Sequence, residues 1–381
     1  MVETIKPTTR EFLTYFLRLG ALGFGGPIVL AANMRRDLVE KNRWIPNADY
    51  DEGLAFAQLA PGPLAAQLAM YLGWVHRGIP GATLVGITFA LPSFLIVLAL
   101  AALYVHFNGL PWIQGLFYGI GAAVIAIMAQ GAYKLFRKTV GGDRLYWVLA
   151  GLSALTTAIT ESEIVWIFLG AGVIALVLKG PLVKSSGAIG LALIPPWVLT
   201  GMSGPVSDET PMRLMLFFAK AGSFVFGSGL AIVPFLHQGV VLEYQWLNNQ
   251  QFLDAVAVAM ITPGPVVITV AFIGFLVAGI GGATAAAVGV FLPVYLVVIF
   301  AAPYYRKFAH NPNIRNFIGG VTSAAVGAIA GAAFILGKRA IVDVPTAIIF
   351  IAALVVVLWV KRIPEPILLL AAGLIGIMLR H

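Results

Sequence analysis

From about residue 80 to the C-terminus, apolar blocks follow one another with only short polar intervals between them. Each is close to the roughly 17 to 25 residues that a helix needs to cross a bilayer. They predict crossings at about 80–106, 111–134, 145–160 and 163–178, a linking crossing at about 187–203, and a second series after it. Residues 11–33 and 52–76 are apolar as well, but each is interrupted, by "GFGGP" at 23–27 and by "PGP" at 61–63. Proline removes a backbone donor and glycine opens unusual dihedrals, so each interrupted block predicts two half-helices in place of one helix.

The interruptions recur. Pro61, Gly62 and Pro63 return as Pro263, Gly264 and Pro265, 202 positions later, and the same offset links Phe16 to Phe218, Arg18 to Lys220, Gly20 to Gly222, Gly25 to Gly227, Trp44 to Trp246 and Glu52 to Asp254. With a slip of one residue it continues through Gly78 and Gly279, Gly81 and Gly282, and "LP" at 91–92 and 292–293. The chain is two copies of one unit, and repeats of this kind mark transporter folds.

Corresponding loops carry opposite charge signals. Arg35, Arg36, Lys41 and Arg43 follow the first interrupted block, whereas the matching "LHQGVVLEYQWLNNQQ" has neither Lys nor Arg. "YVHFNGLPW" lacks them too, while its counterpart holds Arg306, Lys307 and Arg315. By the positive-inside rule the copies lie upside down relative to each other. Basic residues also flank both ends of 11–33 and of 52–76, so both blocks are expected to enter and leave the membrane on one side. Such re-entrant backbone is tolerated only when protein or a water-filled cavity surrounds it. Lys338 and Arg339 fall on the outer side and fit this scheme least well. The expected fold is an all-α polytopic membrane protein with two inverted-topology repeats, each with two re-entrant or broken helical segments followed by about four transmembrane helices. The expected boundaries are 1–186 and 211–381, with a linking transmembrane segment at 187–210.

Composition agrees, with 60% hydrophobic and 10% charged residues, a balance no soluble domain shows. The net charge of +8 sits in short clusters between apolar blocks and reports orientation, so no nucleic-acid partner is expected. The absence of cysteine excludes disulfides, thiolate catalysis and cysteine metal sites. "MVETIKPTTREF" is polar and does not open a cleavable signal peptide. No HExxH, GxSxG or intramembrane Asp pair occurs, so neither an enzyme, a metal site nor a cofactor is expected.

What the breaks offer is an anion site. A half-helix starting after each one directs free N–H groups and partial positive charge toward its start. The candidate residues are Gly25, Gly26, Pro61, Gly62 and Pro63 in the first copy and Gly227, Ser228, Pro263, Gly264 and Pro265 in the second. Gln58 and Thr262, with Gln67 and Thr269, flank the triplets as uncharged donors. Arg18 and Lys220 are paired cations within otherwise apolar segments, where a cation is either functional or snorkels to the interface. Glu52 and Asp254 are expected to cap the helices leading into the triplets. His76, His106 and His237 stand singly and read as interface residues. "GLFYG" at 115–119 and "GAIAG" at 327–331 read as close helix packing.

The motifs "FLRLGALGFGGP", "LAPGP", "FFAKAGSFVFGSGLAIVPFL" and "ITPGPV" resemble those of the chromate ion transporters over almost the whole chain. That resemblance implies fused inverted repeats in a bacterial inner membrane, exporting chromate from the cytoplasm with membrane energy rather than ATP. It brings sulfate in as a tetrahedral mimic, with protons as coupling ion and a homodimer as further expectations. One departure is Ser228 in "FGSG", standing where "FGGP" has Gly26. No residue pattern separates chromate from sulfate. The alternatives are a transporter of another oxyanion and a polyprenyl-phosphate flippase, which needs a groove open to lipid.

Overall fold

The computed structural model describes residues 7–24, 26–107, 111–160, 165–179, 210–224, 226–227, 232–308, 311–360 and 363–379. The expected linking segment at 187–210, all but its last residue, lies outside them. The first half holds α1 (Thr9–Leu22), α2 (Gly26–Met34), α3 (Asn47–Leu59), β1 (Gly62–Pro63), α4 (Leu64–Phe107), α5 (Pro111–Val140), α6 (Arg144–Thr160) and α7 (Val165–Lys179). The second holds α8 (Thr210–Phe224), β2 (Phe226–Gly227), α9 (Val233–His237), α10 (Asn249–Ile261), α11 (Thr269–Phe308), α12 (Pro312–Ala340), α13 (Val344–Trp359) and α14 (Glu365–Leu379).

The 202-residue offset of the sequence is also an offset of local structure. A π-helical turn follows α2 at Arg35–Lys41 and follows α9 at Gln238–Glu243. Arg43 and Gln245, one after each turn, both have positive φ, at 55° and 51°. Inside α4 the backbone breaks at Arg77 and Gly78 (φ −145° and 63°); inside α11 it breaks at Ala278 and Gly279 (φ −146° and 60°). Glycine is required at the second position of each break, because its φ lies where an L side chain is strained.

Beyond the break the chain doubles back. A Cβ on Gly73 would press on the Gly81 carbonyl and on Val85, and one on Gly274 would press on the Gly282 carbonyl and on Ala286. Both interrupted blocks of the first half are likewise hairpins. Tyr15 on α1 reaches Asp37 beyond α2 at 3.5 Å, so the chain reverses at the "GFGGP" turn. Phe56 on α3 packs against Tyr71 on α4 with ring centroids 5.6 Å apart, so it reverses again at the triplet.

Among the described residues four helices, α4, α5, α11 and α12, are long and apolar enough to cross a membrane, and the molecule is an all-α, multi-pass membrane protein. The halves interlock. α6 and α7 pack on α12 of the other half, while α13 and α14 pack on α5. Small residues make this possible, as the "GLFYG" and "GAIAG" motifs predict. Gly115 lies against Ile377 and Gly119 against the Ala372 carbonyl; Gly327 meets the Ala150 carbonyl and Gly331 that of Ala154. The same device seats α1 on α4, with Gly20 at the Phe89 carbonyl, and α8 on α11, with Gly222 at the Val290 carbonyl.

Candidate oxyanion site at the helix breaks

Each Pro-Gly-Pro triplet meets the glycine turn of the other half. Gly62 and Pro63 pair in parallel with Phe226 and Gly227, and Gly264 donates its backbone N–H to Gly23 O at 2.8 Å. The breaks that the sequence relates by offset are thus joined crosswise. Gly62 has φ +140° and Gly264 φ +91°, so both need glycine. Gly62, Pro63 and all of Pro263, Gly264 and Pro265 are buried.

Around the first triplet the decisive side chain is Gln67, fully buried on the first turn of α4. Its Nε2 donates to Pro61 O at 2.6 Å, while its Oε1 is buried and has no hydrogen-bond partner among the described residues. The first N–H groups of α4 have no acceptor within the helix. Around the second triplet, Ser93 of α4 is fully buried and donates to Gly20 O at 3.1 Å, and its hydroxyl lies where a Cβ on Gly264 would fall. Ser93 follows the "LP" motif at 91–92 and escaped the sequence reading, since its counterpart in the second copy is Val294.

Several sequence expectations change here. Gln58 is exposed on α3. Thr262 donates to Val258 O and Thr269 to Val266 O, each at 2.7 Å, so with Gln67 three of the four flanking donors already serve carbonyls of their own segment. Arg18 is exposed on α1, and Lys220 is half-buried, with Nζ 5.9 Å from the centre of the Phe235 ring. Neither is hydrogen-bonded to a triplet. Gly26 opens α2 with φ +75°, whereas Gly25 and Ser228 lie outside the described residues.

Glu52 and Asp254 are not caps. Both lie mid-helix, because α3 and α10 begin earlier than the apolar pattern indicates, and the cap of α10 is Asn248, boxed with Gln251. Asp254 is instead 4% exposed. It accepts from Tyr104 of the other half at 2.7 Å and from Gln250 at 2.9 Å, and among the described residues no cation pairs with it. His237 is not a lone interface residue either. It is buried, 2.9 Å from Asn249 Oδ1, and Arg339 lies against both residues. The first copy has the same arrangement with a cation in place of the histidine, Arg35 donating to Asn47 at 3.0 Å.

Comparison with known proteins places these features in a family. The chromate transporter family model matches residues 10–176 and 212–377, once in each half. The chain is 55% identical to the chromate transport protein of Cupriavidus metallidurans over 373 residues, 97% of this chain and 93% of that protein. It is 53% identical to a probable chromate transport protein of Synechococcus elongatus over 97% of this chain and 95% of that one. With the chromate transport protein of Pseudomonas aeruginosa it shares 32% identity over 96% of this chain and 91% of that protein. No solved structure matches it.

Proposed function

The chain belongs to the chromate transporter family, and we propose that it is a secondary active transporter that exports chromate from the bacterial cytoplasm across the inner membrane, holding the anion where the breaks of the two halves meet. The observation that carries this is the crosswise joining, with Gly62 and Pro63 on Phe226 and Gly227 and with Gly264 on Gly23. It sets the triplet of each half against the glycine turn of the other. Half-helix ends there supply positive potential to an anion whose full dehydration in hydrocarbon costs tens of kcal/mol. Sulfate enters the proposal only as a shape mimic.

The two halves, 1–186 and 211–381, are read as inverted repeats whose hairpins are re-entrant. The loop charges support this, as does Arg339. The residue that fitted the topology least lies against His237 and Asn249, at the two ends of the lysine- and arginine-free loop assigned to the outer face. Protons are the coupling ion in this reading, and Asp254 is the acid best placed to carry them. Labelled chromate uptake into everted vesicles, with and without a pH gradient, tests the proposal. Uptake that needs the protein and responds to the gradient is expected; no uptake under either condition overturns it.

A polyprenyl-phosphate flippase finds some support in a crevice of about 330 Å³ between α4 and α11, lined by apolar side chains with Thr83, Thr284 and Tyr295. No charged residue lines it to meet a phosphate, and the oxyanion proposal is preferred.

A further inference from the structure

Chromate and sulfate share shape and charge when fully ionised, and the sequence holds no pattern that separates them. Gln67 does. Its Nε2 faces the Pro61 carbonyl at 2.6 Å, which fixes the sense of the amide, because the reversed assignment would set two acceptors against each other. The other end is therefore a true carbonyl oxygen, and this oxygen is buried and without a partner among the described residues. It stands at the break itself. A Cβ on Gly62 would lie 2.7 Å from both Cδ and Nε2 of Gln67, and the amide bond lengths put Oε1 roughly 2 Å from Nε2.

A buried acceptor without a donor is penalised, and a ligand that brings a donor relieves it. The same place also holds donors, N–H groups of the first turn of α4, which have no acceptor within the helix. Several donors beside one acceptor fit a tetrahedral oxyanion that still carries one proton. Its bare oxygens take the N–H groups and its O–H donates to Gln67, whereas a fully ionised oxyanion would set a lone pair against Oε1. Chromate releases its second proton near neutral pH, so the monoanion is present in a cytoplasm. Sulfate releases both in strong acid and has none left to donate.

Charge points the same way. Born cost rises with the square of charge, so a monoanion needs far less compensation than a dianion. Tyr15 on α1 and Asp254 on α10 are hydrogen-bonded elsewhere, to Asp37 and to Tyr104 with Gln250, and among the described residues neither Arg18 on α1 nor Lys220 on α8 is hydrogen-bonded to Gln67 or to a triplet. The second copy has Thr269 at the equivalent position, with its hydroxyl donated to Val266 O at 2.7 Å.

We infer that Gln67 makes this a site for hydrogen chromate, selecting the monoprotonated oxyanion and rejecting sulfate. The inference rests on the chromate proposal. Its test is calorimetric titration of the full-length protein in nanodiscs with chromate, from mildly acidic to mildly alkaline pH, with sulfate and selenate as competitors and Gln67→Met as the variant. Above chromate's second ionisation the wild-type affinity falls by about tenfold per pH unit, following the fraction of monoanion, and excess sulfate or selenate does not displace chromate. Gln67→Met flattens the pH profile and lets sulfate compete. Wild-type affinity that is constant with pH, or equal displacement by sulfate, overturns the inference while leaving the chromate proposal standing. Absence of chromate binding at every pH overturns both. Should Gln67→Met fail to fold, the wild-type profile and the competition still decide.

Discussion

Gly264 of the second half gives its N–H to the carbonyl of Gly23 in the first at 2.8 Å, with φ at +91° and Ser93 where a Cβ would stand. A side chain here faces two costs at once. The left-handed conformation alone costs about 1–2 kcal/mol for an L residue, and Ser93 must also leave its bond to Gly20. Gly264→Val is therefore expected to abolish chromate transport in everted vesicles, and Gly62→Val likewise, since that position has φ +140° and its Cβ would meet Gln67. Gly26→Ala is the control. Gly26 also has positive φ but no described residue lies within 4 Å of its Cβ position, so much of the activity should survive. Equal loss in all three would show that backbone conformation, and not the meeting of the halves, is what matters.

Pro63→Ala should be milder than Gly62→Val. It restores an N–H and loosens the turn, but leaves the glycine to adopt its φ. Reduced transport with an unchanged yield of folded protein is expected, and complete loss would indicate that the proline fixes the site directly.

The paired cations separate. Lys220 is half-buried beside Phe235, so Lys220→Gln is expected to weaken chromate transport, by about 1–3 kcal/mol if a charged hydrogen bond to the anion is lost. Arg18 is exposed, and Arg18→Gln should remain near wild type. Vesicle uptake on equal amounts of membrane protein checks both, and wild-type transport by Lys220→Gln would assign that lysine to snorkelling.

What the sequence revealed follows from what a single chain can encode locally. Proline and glycine impose dihedrals on their own positions, so the breaks and the hairpin turns were legible, and the offset showed which breaks correspond and paired Gly78 with Gly279, whose kinks only the structure shows. Correspondence is not proximity, however. The joining of Gly62 to Phe226 links non-equivalent turns, and the Tyr104–Asp254 bond spans 150 positions, so neither leaves a local mark. The misplaced caps had a signal that was available, since Asn248 with Gln251 three residues later is a capping-box pair. Gln67 was noted as a donor. Only the structure shows its donor engaged and its acceptor without a partner among the described residues.

The topology can be read in the native background, which lacks cysteine. Lys41→Cys and Glu243→Cys place single thiols at exposed positions of the two π-helical turns. With the halves inverted, an impermeant maleimide should label the first only from the cytoplasmic side and the second only from outside. Labelling of both from one side would replace the inverted repeat with a parallel one.

Asp254 carries the last expectation. Its carboxylate is buried, accepts from Tyr104 across the two halves and from Gln250 within α10, and lies two helical turns before Thr262 at the triplet. Tyr104→Phe removes a hydrogen bond to a charged group, worth about 1.5–3 kcal/mol, and should lower the melting temperature. Asp254→Asn keeps the shape and an acceptor while removing the site that takes up a proton. If protons drive export through this residue, the variant in proteoliposomes should still exchange labelled for unlabelled chromate at a normal rate, because exchange needs only the anion site. It should no longer accumulate chromate in response to a pH gradient. Gradient-driven accumulation at the wild-type rate would release Asp254 from coupling and leave it as a structural tie between the halves. Loss of exchange together with accumulation would place the carboxylate at the anion site instead.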